Sequence, residues 1–175
     1  MKQNLRKDRK VKGTAYHEAG HAVAAFAFGK TVHSVTIVSN DETLGLTRYS
    51  RIIPIPEFPE GVRDRLRVER EIMCGLAGDI AEAYFFNESL DVRKHGAHMD
   101  YEQALDVAAT LIPSHPERQA FVNWLFERTK SIICGKVYWP AVCRIAEALL
   151  TEKTISGRKA RQIALEATGV KFLRV

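Results

Sequence analysis

Thr14-Ala-Tyr-His-Glu-Ala-Gly-His-Ala-Val-Ala-Ala-Phe-Ala-Phe28 is the stretch on which both the fold and the chemistry turn. Its apolar positions Ala15, Ala19, Ala22, Val23 and Phe26 recur at three- and four-residue intervals, the period of one helical face, and Gly29 follows as a stop. The spacing predicts a helix over 14–28. Within it His17 and His21 lie four residues apart, about one turn along the same face, so their imidazoles can converge on one metal ion. Glu18 is offset from both. From there it can reach a water beside the ion without becoming a ligand, the placement a general base needs.

Outward from this helix, β-branched residues crowd 31–38. After Ser39-Asn-Asp-Glu42, Leu44 and Leu46 alternate within 43–49, so the two stretches predict a hairpin. Pro54, Pro56 and Pro59 make 52–60 a loop or irregular edge. A second long helix is expected over 62–86, with Leu66, Ile72, Met73, Leu76, Ile80 and Tyr84 available for a buried stripe. Gly75 and Gly78 sit inside it, each costing up to about 1 kcal/mol relative to Ala. Such glycines signal a close backbone approach or something that must fit beside them. Residues 87–97 read as a loop, 99–112 as a helix stopped by Pro113, and 117–133, 140–151 and 156–167 as further helices. The fold class expected is mainly α with one small β-sheet, in a single domain over 13–175 preceded by a basic tail over 1–12.

The 175 residues are 46% hydrophobic and 27% charged, which excludes a disordered or collagen-like chain. The longest apolar run, Ala22 to Phe28, is far shorter than the roughly 20 residues a spanning helix needs, so no transmembrane segment is expected and the chain is read as cytoplasmic. Cys74, Cys134 and Cys143 are odd in number and widely spaced, giving no disulfide framework and no cysteine metal motif; they read as small core hydrophobes. The formal charge of +5 belongs to the ends: residues 1–12 hold six basic and one acidic residue, residues 158–175 five and one, and the body between them is acidic. A nucleic-acid face would instead spread over the folded surface, so nucleic acid is not the expected partner.

A catalytic zinc takes three protein ligands and leaves a fourth position to water. His17 and His21 supply two. For the third, residue chemistry leaves Glu71, Glu82, Asp91, His95, His98 and Asp100, and spacing does not choose among them.

A family resemblance does. Thr14-Ala-Tyr-His-Glu-Ala-Gly-His-Ala-Val23 resembles the zinc helix in the peptidase domain of the FtsH-type ATP-dependent zinc metalloproteases, and four further segments match in order. Leu44-Gly-Leu-Thr47 is similar to a segment of that family's small sheet, and Ala77-Gly-Asp-Ile-Ala-Glu82 to its Gly-Gly-Arg-x-Ala-Glu helix. Gly96-Ala-His-Met-Asp100 resembles its Gly-Ala-x-x-Asp motif, and Leu149 to Gly157 the link between its last two helices. The resemblance implies a zinc metalloendopeptidase, HExxH type, with His17, His21 and Asp100 on Zn2+, Glu18 as base, and Glu82 in support of the site or in packing. A helix N-cap is the plainer role for Asp100. The resemblance also implies that an extended polypeptide substrate adds to an edge strand near the zinc, for which 43–49 is the counterpart.

The sequence departs from the family as well. The family's membrane segments and ATPase module have no counterpart here, so the expectation is a stand-alone peptidase for flexible or unfolded polypeptide, or a catalytically silent zinc-binding adaptor docked on a partner ATPase in trans. Its Gly-Gly-Arg becomes Ala77-Gly-Asp79, so the arginine's role is lost or moved. A shortened region around 112–117 argues against the family's hexamer while leaving a homo-oligomer open.

Overall fold

The first helix, α1 (Lys2–Ala27), does not begin at Thr14 but runs back to Lys2. The straight-chain residues Lys, Arg, Gln and Leu that dominate this basic segment are good helix formers, and nothing before Gly13 breaks the helix. Residues 2–12 of the segment read as a tail are therefore the opening of α1, with Arg6 to Lys10 in solvent and Arg9 paired with Glu88. The far end closes as expected at Gly29, whose φ of 79° is left-handed. Lys30 N–H donates to Ala25 O (2.7 Å) and Gly29 N–H to Phe26 O (3.2 Å), the two bonds of a Schellman cap.

The computed structural model describes residues 2–38, 45–50, 61–89 and 99–170. After α1 come β1 (Val32–Thr36), β2 (Leu46–Tyr49), α2 (Gly61–Phe85), α3 (Met99–Ala109), α4 (His115–Ile133), α5 (Trp139–Glu152), β3 (Thr154–Ser156) and α6 (Gly157–Thr168). The expected hairpin is present as the antiparallel β1–β2 pair, with Val35 opposite Thr47 and Thr36 opposite Leu46. The expected loop over 52–60 and most of the one over 87–97 fall outside the described residues. A third strand, unforeseen, pairs antiparallel on the other side of β1, with Val35 opposite Ile155, so the sheet order is β2-β1-β3. Three residues are too few to display a two-residue period, which is why β3 is invisible in the sequence. The fold is mainly helical with one small antiparallel sheet, as expected. Among the described residues no helix is long and apolar enough to cross a membrane.

Two apolar clusters hold these elements together. In one, the Ala-rich face of α1 (Ala15, Ala19, Ala22, Val23, Phe26) packs on Val35 and Ile155 of the sheet and on Val142, Ile145 and Leu149 of α5. In the other, Val68, Ile72, Leu76 and Ile80 of α2 pack against Ala104 and Leu105 of α3 and Val122, Leu125 and Phe126 of α4. Two residues expected in the α2 stripe are instead well exposed. Leu66 lies two residues from Val68, about 200° around the helix and on its far face. Tyr84 sits at the helix end edge-on to Trp139, with ring centroids 4.6 Å apart. Of the three cysteines, all free, only Cys74 is fully buried.

The α1–α2 contact positions the site. A Cβ placed on Gly20 would stand 2.4 Å from the Ala77 carbonyl oxygen, so the two backbones touch there and the histidine turn of α1 lies directly on α2.

Candidate metal centre

From α1, His17 and His21 converge as a four-residue spacing requires, with their Nε2 atoms 3.0 Å apart. The Oδ2 atom of Asp100, on the second residue of α3, stands 3.6 Å from each. Among the described residues these three form the one group of side chains able to hold a metal ion, with all donor atoms within 4.8 Å of one another. Asp100 reaches them because α3 packs on α2 through Ala104, Leu105 and Ala108. Its place within the helix rather than before it is not that of the N-cap considered from sequence.

The donor set fits a zinc ion. Donors about 2.0–2.1 Å from a tetrahedral zinc stand about 3.3–3.4 Å apart, a value that the separations of 3.0, 3.6 and 3.6 Å straddle. Space is reserved as well. A Cβ on Gly78 would lie 2.4 Å from His21 Nε2 and 2.7 Å from His17 Nε2, inside the donor cluster itself. The glycine read in sequence as making room beside α2 does so here, whereas nothing lies within 4 Å of a Cβ on Gly75.

The outer nitrogens of both imidazoles are held. His21 Nδ1 donates to the Cys74 carbonyl oxygen at 2.8 Å, an assignment that keeps the Nε2 lone pair directed at the cluster. His17 Nδ1 faces two carboxylates, Asp79 Oδ1 at 3.5 Å and Glu82 Oε2 at 3.6 Å. Burial works against a charge on His17, but Glu82, followed by Asp100, Glu18 and Asp79, outweighs it and raises the imidazole to about 9. His21 goes the other way: burial first, then the charge on His17, push it down to about 4. The pair therefore carries a single positive charge near neutrality, on His17, and ligation of a metal by His17 Nε2 would require that nitrogen to be deprotonated.

Of the other third-ligand candidates, Glu71 is turned away to pair with Lys30 at 2.5 Å, and Glu82 stands behind His17, its Oε2 3.6 Å from Nδ1. Asp91, His95 and His98 lie outside the described residues. Asp79 was missed in sequence as a site residue. An aspartate in the middle of a buried helical stripe was its only signal, and the structure explains it by the facing imidazole. Glu18 is 5% exposed, and its Oε2 accepts a hydrogen bond from Thr47 Oγ1 at 2.7 Å.

Known proteins resemble the chain over the elements that carry this cluster. The model of peptidase family M41 matches residues 4–116, from α1 to the first turn of α4. The ATP-dependent zinc metalloprotease FtsH of Magnetococcus marinus is 34% identical over 110 residues, 62% of this chain and 15% of the relative. The protein of the same name from Thermus thermophilus is 35% identical over 117 residues, 63% of this chain and 17% of the relative. That of Mycobacterium tuberculosis is 31% identical over 107 residues, 60% and 13% respectively. The match thus spans under a fifth of the length of each of these relatives. With more than half of its residues covered by the family model, and His17, Glu18, His21 and Asp100 all inside the matched span, the chain belongs to peptidase family M41, the FtsH-type metalloproteases.

Proposed function

We propose that this chain is a zinc metalloendopeptidase in which His17, His21 and Asp100 hold the metal and Glu18 is the general base. The observation that carries the reading is the convergence of three donors from two helices on one point that Gly78 leaves open. Zinc, when bound, would lower the pKa of a water toward about 7 and polarise the scissile carbonyl. The protein's own part is positional. The Cys74 carbonyl fixes the ring of His21, while Asp79 and Glu82 orient His17. The Glu18 carboxylate takes the proton of the attacking water and returns it to the leaving amine, the two-way transfer that general acid–base catalysis requires.

The substrate is a flexible or unfolded polypeptide. Among the described residues β2 is an outer strand of the sheet and its Thr47 touches Glu18, so a chain added alongside β2 would run past the base. An ATPase acting in trans would extend the range to folded substrates; the relatives are named ATP-dependent, and this is carried over as a proposal.

Zinc analysis of Glu18→Gln beside the wild type tests the reading. Both proteins should hold about one zinc per chain, with hydrolysis of an unfolded protein lost only in the variant. A wild-type protein that takes up no zinc under replete conditions refutes it. Zinc bound without turnover of any unfolded polypeptide would instead favour the silent adaptor.

A further inference from the structure

Thr47 occupies a position where a hydroxyl has no business on packing grounds. It is the inward residue of β2, opposite the fully buried Val35, and is 8% exposed. Valine has the same shape and an equal liking for a strand, and would bury no polar atom. The hydroxyl is nonetheless used in full: its single proton is shared between Glu18 Oε2 at 2.7 Å and the Glu18 backbone oxygen at 3.0 Å. Two residues earlier, Gly45 closes on the same side chain. A Cβ there would stand 2.8 Å from Glu18 Oε1, 2.9 Å from its Cγ and 2.7 Å from Thr14 Cγ2. β2 thus donates a hydroxyl to one oxygen of the Glu18 carboxylate, and the glycine just before the strand leaves no room for a side chain beside the other.

We propose that Thr47 is a positioning residue for Glu18, its hydroxyl selecting the carboxylate orientation used for proton transfer, so that the strand offered to the substrate also sets the base. The proposal deepens the peptidase reading above and rests on it. A glutamate side chain turns about several bonds and loses its efficiency as a base when displaced by even 1 Å, a misplacement that can cost on the order of 100-fold. Fixing it by a buried charge-assisted hydrogen bond removes that freedom before the substrate arrives.

Thr47→Val and Thr47→Ser in the zinc-loaded protein test this, with fluorescein-labelled, chemically unfolded casein as the probe. For Thr47→Val we expect kcat to fall by roughly 10- to 100-fold while KM stays within about twofold and zinc content is unchanged. Thr47→Ser, which keeps the hydroxyl and loses only a methyl group, should recover kcat to within about threefold of wild type. A purely structural role would move the melting temperature and spare this split. As a second readout, melting temperatures of metal-free Thr47→Val, Glu18→Ala and the double variant should be non-additive, as for residues in direct contact. Unchanged kcat in Thr47→Val, a serine variant as slow as the valine one, or additive melting shifts would each overturn the positioning role while leaving the peptidase reading intact. A zinc-loaded wild type that hydrolyses no casein would remove the reading beneath it and the proposal together.

Discussion

Gly75 and Gly78 are three residues apart on one helix, and replacing each by alanine should have opposite consequences. At Gly78 the new methyl carbon would begin 2.4 Å from His21 Nε2, 2.7 Å from His17 Nε2 and 2.8 Å from His17 Cε1. Ordinary contact of such atoms is about 3.5 Å, so the nearest nitrogen must retreat by about 1 Å. His21 cannot do so by turning its ring without losing the 2.8 Å bond from Nδ1 to the Cys74 carbonyl, worth about 1 kcal/mol. A shift of that size also takes an Nε2 atom out of the 3.0–3.6 Å donor triangle, where bond lengths must hold to about 0.2 Å. Zinc affinity in Gly78→Ala should therefore fall by at least about 100-fold, more than loss of an outer hydrogen bond alone produces. At Gly75 nothing lies within 4 Å, so alanine there brings only its helix preference, a gain of about 0.5–1 kcal/mol that raises the melting temperature by roughly 1–4 °C and leaves zinc affinity untouched. Chelator competition for zinc and thermal melts of the metal-free proteins read both quantities. Wild-type zinc affinity in Gly78→Ala, or an equal loss in the two variants, would refute the view that Gly78 keeps the site open.

Further outcomes follow from the same geometry. Asp100→Ala removes the proposed third ligand and should weaken zinc binding by at least about 100-fold in the same competition assay, with the helical circular dichroism retained. The Lys30 side chain is 2% exposed and pairs with Glu71, so Lys30→Met, by stranding a buried carboxylate, should cost about 3–5 kcal/mol in urea unfolding; Lys30→Met combined with Glu71→Leu should recover much of it. Burial pushes the Cys74 thiol up to about 12, so its reactive thiolate is negligible at pH 8; iodoacetamide should label it only at the rate of unfolding, followed by mass spectrometry in increasing urea. Phe126→Ala, at a site 1% exposed in the cluster that carries α3, should cost about 3–5 kcal/mol in the same denaturation, whereas exposed Leu66→Ala should cost under about 0.5 kcal/mol.

The parts legible in the sequence are those written in short-range pattern. The α1 periodicity, the Gly29 stop and the histidine pair each depend on residues within about a turn of one another, and helix geometry alone carries His17 and His21 to one face. Gly78 announced itself as a helix interior paying for space. Leu66 misled because an apolar residue in a helical window looks like part of the stripe until its angle from Val68 is taken. β3 was too short to have a pattern, and the helicity of 2–12 was hidden by its charge, which speaks to solvation rather than to backbone conformation.

What the sequence determined by itself is a long amphipathic helix presenting two imidazoles and a neighbouring carboxylate, because backbone hydrogen bonding sets the relation of residues three and four apart before any tertiary contact forms. What only the tertiary structure decided is everything that meets those groups from elsewhere in the chain. Asp100, 79 residues beyond His21, comes within 3.6 Å of both imidazoles because α3 is held on α2 by Ala104, Leu105 and Ala108. Asp79 and Glu82 stand behind His17 because Gly20 lets two backbones touch, and Thr47 reaches Glu18 because the sheet folds back over α1. Such pairings carry no period in the sequence: they exist where packed surfaces bring distant residues together, and packing is a property of the whole chain.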